Sequence, residues 1–357
     1  MSAGVIYVVT FALAAAVAAL ATPLVVRLAT HLGVIDAIGD DRRVHETPTP
    51  RIGGIAVFFG FAFALFAVLG FALSSPYALF PSIVHLSVHQ KVELIGDQFD
   101  AVHKLVGLLF GSMLILGVGV WDDTMQMRPR NKLIAQVVVA LISMLYGFII
   151  PGVTNPFDHN VATNWIDFPL WVGVPLTLVW YVGMMNAINF IDGLDGLLSG
   201  VAAIAGLYLF VISVIHANPT VALVVIALAG SSLGFLPYNF NPAKIFLGDA
   251  GSLFIGYVFA TVSIIGASKT AIAMSIVVPL VVLALPILDT AAAIVRRATA
   301  GKKITEADRG HFHHQLIFRF GLNVRQAVLL IYAVCFVLGA LALALSGDFT
   351  HAFKHSM

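Results

Sequence analysis

The sequence predicts an all-α, polytopic integral membrane protein with about ten transmembrane helices. Composition is the first reason: 60% of the 357 residues are hydrophobic, 10% are charged, and the mean hydropathy is +0.98. A soluble domain cannot bury so much apolar surface. Apolar runs of roughly 20 residues, long enough to span a bilayer, also recur along the chain. Finally, Lys and Arg residues are concentrated in alternate loops.

The apolar runs define the predicted spans. The first is long enough to cross the bilayer and lacks a small-residue cleavage site, so we expect a helix and not a signal peptide. Pro279 and Pro286 are expected to kink the ninth run. No internal repeat is visible, so we predict one transmembrane domain, 1–357. The spans are placed near 4–29, 53–74, 105–121, 132–150, 169–188, 197–215, 219–237, 251–267, 270–294 and 325–346.

Two segments between the spans differ from the rest. Segment 82–104 carries Glu93, Asp97 and Asp100 among apolar residues and is too polar to span. We expect an external helix or hairpin that lies on the membrane surface. Segment 295–324 is the longest loop on the opposite side and contains a histidine cluster.

The positive charges predict the orientation. With ten spans, one set of loops and flanking positions holds fifteen of the nineteen Lys and Arg residues. The positive-inside rule makes that side cytoplasmic and both termini external. Cys335 is the only cysteine, which excludes disulfides and cysteine-based zinc sites. No basic stripe interleaved with aromatic residues indicates nucleic-acid binding.

The predicted cytoplasmic loops also collect acids beside glycines. The stretch 189–196 holds Asp192 and Asp195, which would share one face if the chain there were helical; a polar loop with turn glycines is the alternative. Asp122 and Asp123 are adjacent, so we expect them to have different partners, unless they only end a helix.

Four further features have more than one interpretation. Gly248 to Ser252 suits phosphate, with Asp249 suited to a hard cation, although Asp249 could equally be a helix N-cap. Arg51 could meet phosphate or anchor the chain at the inner leaflet. Asp289 could line the site or pair with a nearby arginine. The cluster of His311, His313 and His314 could bind diphosphate, bind zinc, or be a solvated basic loop.

Taken together, these motifs resemble the polyprenyl-phosphate N-acetylhexosamine-1-phosphate transferase family, from Asp36 to His314. Within the family the chain is most similar to transferases that move GlcNAc-1-phosphate from UDP-GlcNAc to undecaprenyl phosphate. Members that make lipid I usually have three consecutive histidines and Pro-Thr-Met-Gly-Gly, which argues against a muramyl-pentapeptide donor. The motifs are Arg42-Arg43-Val44-His45 with Pro50-Arg51-Ile52-Gly53-Gly54, Asp122-Asp123, Asn189 to Gly196, Tyr238 to Ser252, and His311-Phe312-His313-His314.

The resemblance implies a reaction and its partners. Undecaprenyl phosphate would attack a UDP-N-acetylhexosamine at the bacterial plasma membrane, with the active site cytoplasmic, and yield undecaprenyl-diphosphate-sugar and UMP. Mg²⁺ is the implied cofactor, with Mn²⁺ as the alternative. Membrane lipid and a second copy of the chain, as in dimeric relatives, are the other implied partners. The alternatives are a phospho-MurNAc-pentapeptide transferase and, from another class, a proton-coupled transporter.

Roles for individual residues follow from the same resemblance. The catalytic and metal-binding set is Asp122, Asp123 and Asp249, with Asp249 the first metal ligand and Asp123 the group that deprotonates or orients the lipid phosphate. Asp195 is expected near the uracil, Phe246 to stack on it, and the histidines to hold diphosphate and sugar. The implied substrate-binding residues are Asp36, His45, Arg51, Lys132, Asn189, Asp192, Asp195, Asn239, Phe246, His311, His313 and His314.

Overall fold

A computed structural model describes residues 3–36, 48–74, 88–154, 165–266 and 312–354, with isolated helical positions at 284, 288, 292 and 299. Within these ranges the chain is almost entirely helical. The helices are α1 (Ala3–His31), α2 (Gly54–Ser74), α3 (Val88–Met125), α4 (Pro129–Leu145), α5 (Leu170–Ile191), α6 (Leu197–Ile215), α7 (Pro219–Asn239), α8 (Gly248–Gly266), α9 (Phe312–Phe318) and α10 (Val324–Lys354).

The predicted fold class, an all-α polytopic membrane protein, is confirmed. In the described part of the chain, eight helices are long and apolar enough to cross a bilayer. The predicted fourth span corresponds to α4, which has 17 residues and is therefore about 26 Å long. The predicted ninth span, 270–294, lies outside the described residues apart from isolated helical positions, and so do Pro279 and Pro286.

Helix α3 is longer than the sequence suggested. Residues 88–104, predicted as a separate surface segment, are the first turns of a continuous 38-residue helix. Such a helix is about 57 Å long, which exceeds the roughly 30 Å hydrocarbon core. No proline interrupts it, and an i, i+4 pair between Asp100 and Lys104, 2.7 Å apart, supports its early turns. The helix alternative for 88–104 therefore holds and the hairpin does not; residues 82–87 lie outside the described residues.

Helix α8 lies at the centre of the bundle. Its apolar window is 94% buried, whereas that of α1 is 22% buried. Helices α2, α3 and α5 pack around α8. Two hydroxyl pairs tie it to neighbouring helices: Tyr257 with Ser143 at 2.8 Å and Tyr181 with Thr261 at 2.9 Å. Hydrogen bonds of this kind link helices where apolar contact alone gives little driving force. The first turn of α8 is consequently held in a fixed place.

Helices α1, α2, α6 and α7 form the other side of the bundle, and α10 packs on α6. Here α1 and α7 approach so closely that only glycine fits. A Cβ on Gly234 would lie 2.1 Å from the carbonyl oxygen of Ala15, and one on Gly230 would lie 2.4 Å from that of Phe11. Small residues of this kind let helix backbones touch inside a membrane.

Two short antiparallel hairpins complete the described structure. Strand β1 (Ile35–Asp36) pairs with β2 (Thr49–Pro50), and β3 (Gly152–Thr154) pairs with β4 (Trp165–Asp167). The first hairpin closes the ends of segment 37–47, which lies outside the described residues, and brings Asp36 next to Arg51. It lies at the same end of the bundle as the first turn of α8.

Candidate active site

The site is built around the N-terminal end of α8. A helix leaves its first backbone N–H groups without partners inside the helix. Asp123, near the end of α3, supplies acceptors for two of them: Oδ1 accepts from the Asp249 amide at 3.0 Å and Oδ2 from the Ala250 amide at 2.9 Å. Its side chain is fully buried. Asp123 therefore caps α8 from a different helix.

A glycine on each helix makes this contact close. Gly248 has φ +73°, and a Cβ there would lie 2.4 Å from Asp123 Oδ2. On α3, a Cβ on Gly119 would lie 2.4 Å from the Ala250 Cα. The glycines thus let the carboxylate of Asp123 reach the backbone of α8 directly.

Arg51 is directed at two acids by the chain around it. Its guanidinium lies 3.7 Å from Asp36 Oδ1 and 3.6 Å from Asp123 Oδ1. The following residues pair with the stretch before α8, since the Gly53 amide donates to the Phe246 carbonyl at 2.9 Å. Between them, Ile52 is buried with φ +66°, a rare conformation for a β-branched residue. Arg51 thus has acid partners in this structure, and whether it also meets phosphate stays a prediction.

Lys132 joins the other two acids of the set. Its Nζ lies 2.9 Å from Asp122 Oδ2 and 2.5 Å from Asp249 Oδ2. Asn189 Nδ2 donates to Asp249 Oδ1 at 2.6 Å and contacts Ser252 Oγ at 2.7 Å. The carboxylate of Asp249 thus faces Lys132 and Asn189, so the capping function considered for it belongs to Asp123 instead. Residues from α3, α4, α5 and α8 meet here.

Adjacent acids have different partners, as their spacing predicts. Asp122 Oδ1 accepts from the Met127 amide at 2.7 Å, which fixes the turn between α3 and α4, while Oδ2 faces Lys132. Asp123 faces the amides of α8. The alternative of a polar helix end without further contacts is wrong for this pair.

The turn between α5 and α6 is not helical. Helix α5 ends at Ile191, and α6 begins after Gly196, which has φ +80°. Asp192 and Asp195 therefore do not share a helical face, and the alternative of a loop with turn glycines is confirmed, with Gly196 in the left-handed region. Burial, with the nearby negative charges of Asp249 and Asp123, raises the pKa of Asp192 to about 8.

Asp195 and Asn239 both hold the loop between α7 and α8. Asp195 Oδ2 accepts from Asn241 Nδ2 and from the Ala243 amide, each at 3.0 Å. Asn239 is 3% exposed; its Nδ2 donates to the Ile245 carbonyl at 3.0 Å, and its Oδ1 accepts from Ser199 at 2.7 Å. The uracil contact predicted for Asp195 and the substrate contact predicted for Asn239 stay predictions, since the contacts described are internal. Phe246, at the end of the same loop, is half-buried.

Comparison with known proteins agrees with this arrangement. Residues 105–267 match the glycosyl transferase family 4 profile. A probable undecaprenyl-phosphate N-acetylglucosaminyl 1-phosphate transferase of Bacillus subtilis is 33% identical over 343 residues, which cover 95% of this chain and 84% of the relative. The chain belongs to glycosyl transferase family 4. A decaprenyl-phosphate N-acetylglucosaminephosphotransferase of Mycobacterium tuberculosis is 32% identical, covering 89% of this chain and 77% of the relative.

Lipid I enzymes are also similar to this family 4 chain, at lower identity or over a shorter part of the chain. A phospho-N-acetylmuramoyl-pentapeptide-transferase of Desulforudis audaxviator is 28% identical, with 96% of this chain and 97% of the relative covered. The identities therefore favour the GlcNAc-1-phosphate transferases over the lipid I enzymes.

A divalent cation, which the family resemblance implies, fits the acids of this family 4 site. Asp122 and Asp249 each direct one carboxylate oxygen at the same ammonium group, so the two oxygens already share one cation. Among the described residues, no three His, Cys, Asp or Glu side chains form a complete cage. Mg²⁺ commonly takes one or two carboxylates and completes its shell with substrate phosphate oxygens. Both oxygens of Asp123 accept from amides, so Asp122 and Asp249 are the better candidates.

Several predicted residues of this family 4 chain cannot be placed. His45, His311 and Asp289 lie outside the described residues, as do the side chains of His313 and His314. Sequence reasoning included Ser252 in a motif but gave it no role, and in the structure it contacts Asn189. Its position three residues after Asp249, on the same helical face, was the available signal.

Proposed function

We propose that this protein transfers N-acetylhexosamine-1-phosphate, with GlcNAc-1-phosphate first, from a UDP-sugar to undecaprenyl phosphate. The products are undecaprenyl-diphosphate-sugar and UMP. The observation that carries the proposal is the contact of Lys132 with both Asp122 and Asp249, to which Asn189 adds a donor. Four helices separated in sequence thus place one cation and three polar groups at a single point, and the family relatives carry phosphotransferase names.

The chemistry requires charge neutralisation above all. An oxygen of the lipid phosphate forms a bond to the β-phosphorus, and the bond between that phosphorus and the α–β bridging oxygen breaks, releasing UMP. Both reactants are anions, so groups that stabilise the developing negative charge dominate catalysis. Lys132 is the cation placed to meet the diphosphate. A bound Mg²⁺, held by Asp249 and Asp122, would supply further positive charge.

Asp123 is better suited to positioning than to proton removal. Both oxygens of its carboxylate accept from backbone amides and the side chain lies beside Arg51, so the group is already engaged in holding the start of α8. The lipid phosphate, with a second pKa near 6 by analogy to phosphoserine, is largely ionised at neutral pH and has little need of a base. The contacts of Asp123 support a role in placing Asp249 at the start of α8.

The reaction belongs on the cytoplasmic face of the bacterial plasma membrane. Nucleotide sugars are cytosolic, and the loops that build the site carry most of the positive charge of the chain.

The direct test is UMP release by the purified protein from UDP-GlcNAc, undecaprenyl phosphate and Mg²⁺. Asp249→Asn should lower the rate by about 100-fold or more, because it removes a charge at the reacting centre. Asp100→Asn is the matched control: it is the same substitution on an exposed acid, and it should leave the rate unchanged. If the well-folded protein releases no UMP with UDP-GlcNAc or with any other UDP-N-acetylhexosamine, the proposal is wrong.

A further inference from the structure

Two side chains of α10 contact the turn between α5 and α6 and the loop between α7 and α8. These segments carry Asp195 and Phe246, the residues that the family resemblance places at the uracil. The Tyr332 hydroxyl donates to the carbonyl of Gly196, at the end of the turn that carries Asp192 and Asp195. The ring occupies a notch left by Gly200: a Cβ there would lie 2.0 Å from both Cζ and Oη of Tyr332. The phenol is therefore fixed in place, with its hydroxyl as its polar contact to the turn.

A second contact reaches the neighbouring loop. Arg325 Nε donates to the carbonyl of Asn241 at 2.9 Å. The side chain of Asn241 in turn donates to Asp195 at 3.0 Å. The loop between α7 and α8 is thus held from two sides, by α10 through its backbone and by the α5–α6 turn through a carboxylate.

These contacts are separate from the acid cluster. Asp122, Asp249 and Lys132 are held by α3, α4, α5 and α8, with no contact to α10 among the described hydrogen bonds and ion pairs. Helix α10 packs chiefly on α6 and α9. A change at Tyr332 or Arg325 should therefore move the two loops and leave the acids in place.

We propose that Tyr332 and Arg325 are positioning residues for the nucleotide sugar. They hold the 192–196 turn and the 240–246 loop at the spacing that a uridine diphosphate sugar requires. This inference rests on the proposed function and on the uracil contacts that the family resemblance implies for Asp195 and Phe246, one on each of the two segments. The lipid phosphate, which approaches the acids from the membrane, should not sense α10.

The test compares two identical substitutions on one helix interface. Tyr332→Phe keeps the ring in its notch and removes only the hydrogen bond to Gly196. Tyr208→Phe is the matched control, because Tyr208 lies farther along the same α6–α10 contact, against Phe336 and Gly339. Tyr332→Phe should raise KM for UDP-GlcNAc about fivefold, the effect of one net hydrogen bond. kcat, KM for undecaprenyl phosphate and the melting temperature should stay near wild-type values, and Tyr208→Phe should change none of these.

The outcomes separate the inference from the proposed function. If wild-type protein releases no UMP with any donor, the proposed function fails and the inference falls with it. If wild-type protein is active and Tyr332→Phe has an unchanged KM for UDP-GlcNAc, only the inference is wrong. Equal changes in kcat and in both KM values would also overturn it, since they indicate a general loss of structure. Arg325→Gln, at an exposed position, supplies a second variant and should raise the same KM selectively.

Discussion

Replacing Gly248 with alanine tests whether Asp123 orders the start of α8. The φ of Gly248 is +73°, in the left-handed region that suits glycine. An alanine Cβ would lie 2.4 Å from Oδ2 of Asp123 and 2.9 Å from its Cγ. Atoms do not approach so closely, so either the carboxylate or the backbone before Asp249 must move.

Two contributions set the size of the effect on stability: the strain of a Cβ in the left-handed region and the loss of a hydrogen bond to Asp123. A residue with a Cβ in the left-handed region costs about 1 to 2 kcal/mol. Loss of a hydrogen bond to a charged group costs about 1.5 to 3 kcal/mol. Gly248→Ala should therefore lower the free energy of unfolding by about 3 to 5 kcal/mol if one amide contact of Asp123 is lost. Turnover should fall with it, because Asp249 is the next residue.

The assay is SDS-driven unfolding in mixed micelles, together with UMP release. Gly147→Ala is the matched control: Gly147 has φ +84°, and a Cβ there would have nothing within 4 Å. It reports the backbone cost alone, so the difference between the two variants measures the displaced carboxylate. If Gly248→Ala loses no more stability than Gly147→Ala and keeps its turnover, the capping role of Asp123 is wrong.

Three further predictions address separate parts of the site. Lys132→Met should abolish turnover and leave Asp122 and Asp249 without their shared cation. Millimolar MgCl₂ should therefore raise the melting temperature of this variant more than that of wild type. An equal rise would contradict the shared cation site. Cation-free wild-type protein should lose stability as the pH rises from about 4 to about 8, because folded Asp192 keeps its proton, with a pKa of about 8, while the unfolded chain releases it near 3.9. Asp192→Asn should flatten that part of the melting curve against pH, and an unchanged slope would mean that another group titrates. Phe246→Ala should raise KM for UDP-GlcNAc about fivefold or more if the ring stacks on uracil, and an unchanged KM would remove the stacking role.

The fold was largely predictable because the bilayer imposes simple rules. Each span needs about 20 apolar residues. Those rules place helix ends within a few residues, as for α2, predicted at 53–74 and observed at Gly54–Ser74. They fail for α3, where polar residues between 88 and 104 continue the helix. Hydropathy reports where a helix can be buried in lipid, and it does not show whether the helix continues into polar residues beyond the bilayer.

Which residues form the site was easier to predict from the sequence than which partners they contact. Local sequence marks Asp123 as an unusual acid, yet its partners are amides of residues 249 and 250, more than a hundred positions away. Spacing suggested a shared face for Asp192 and Asp195, but glycine conformations, which depend on tertiary packing, decided the turn. Tyr332 gave no signal at all, because an aromatic residue in an apolar helix resembles any other core residue.

The resting arrangement of charges has a consequence for substrate binding. Asp122 and Asp249 share Lys132, and Arg51 lies beside Asp123 and Asp36, so these four acids already have cationic neighbours. A diphosphate can bind Lys132 only by competing with the carboxylates of Asp122 and Asp249. Leaving the two carboxylates without Lys132 costs free energy unless another cation binds them. Binding of the nucleotide sugar and binding of a divalent cation should therefore strengthen each other by the same factor, as linkage requires. Lys132 would then be the group that changes partners, while Asp123, fixed by the amides of α8, would not.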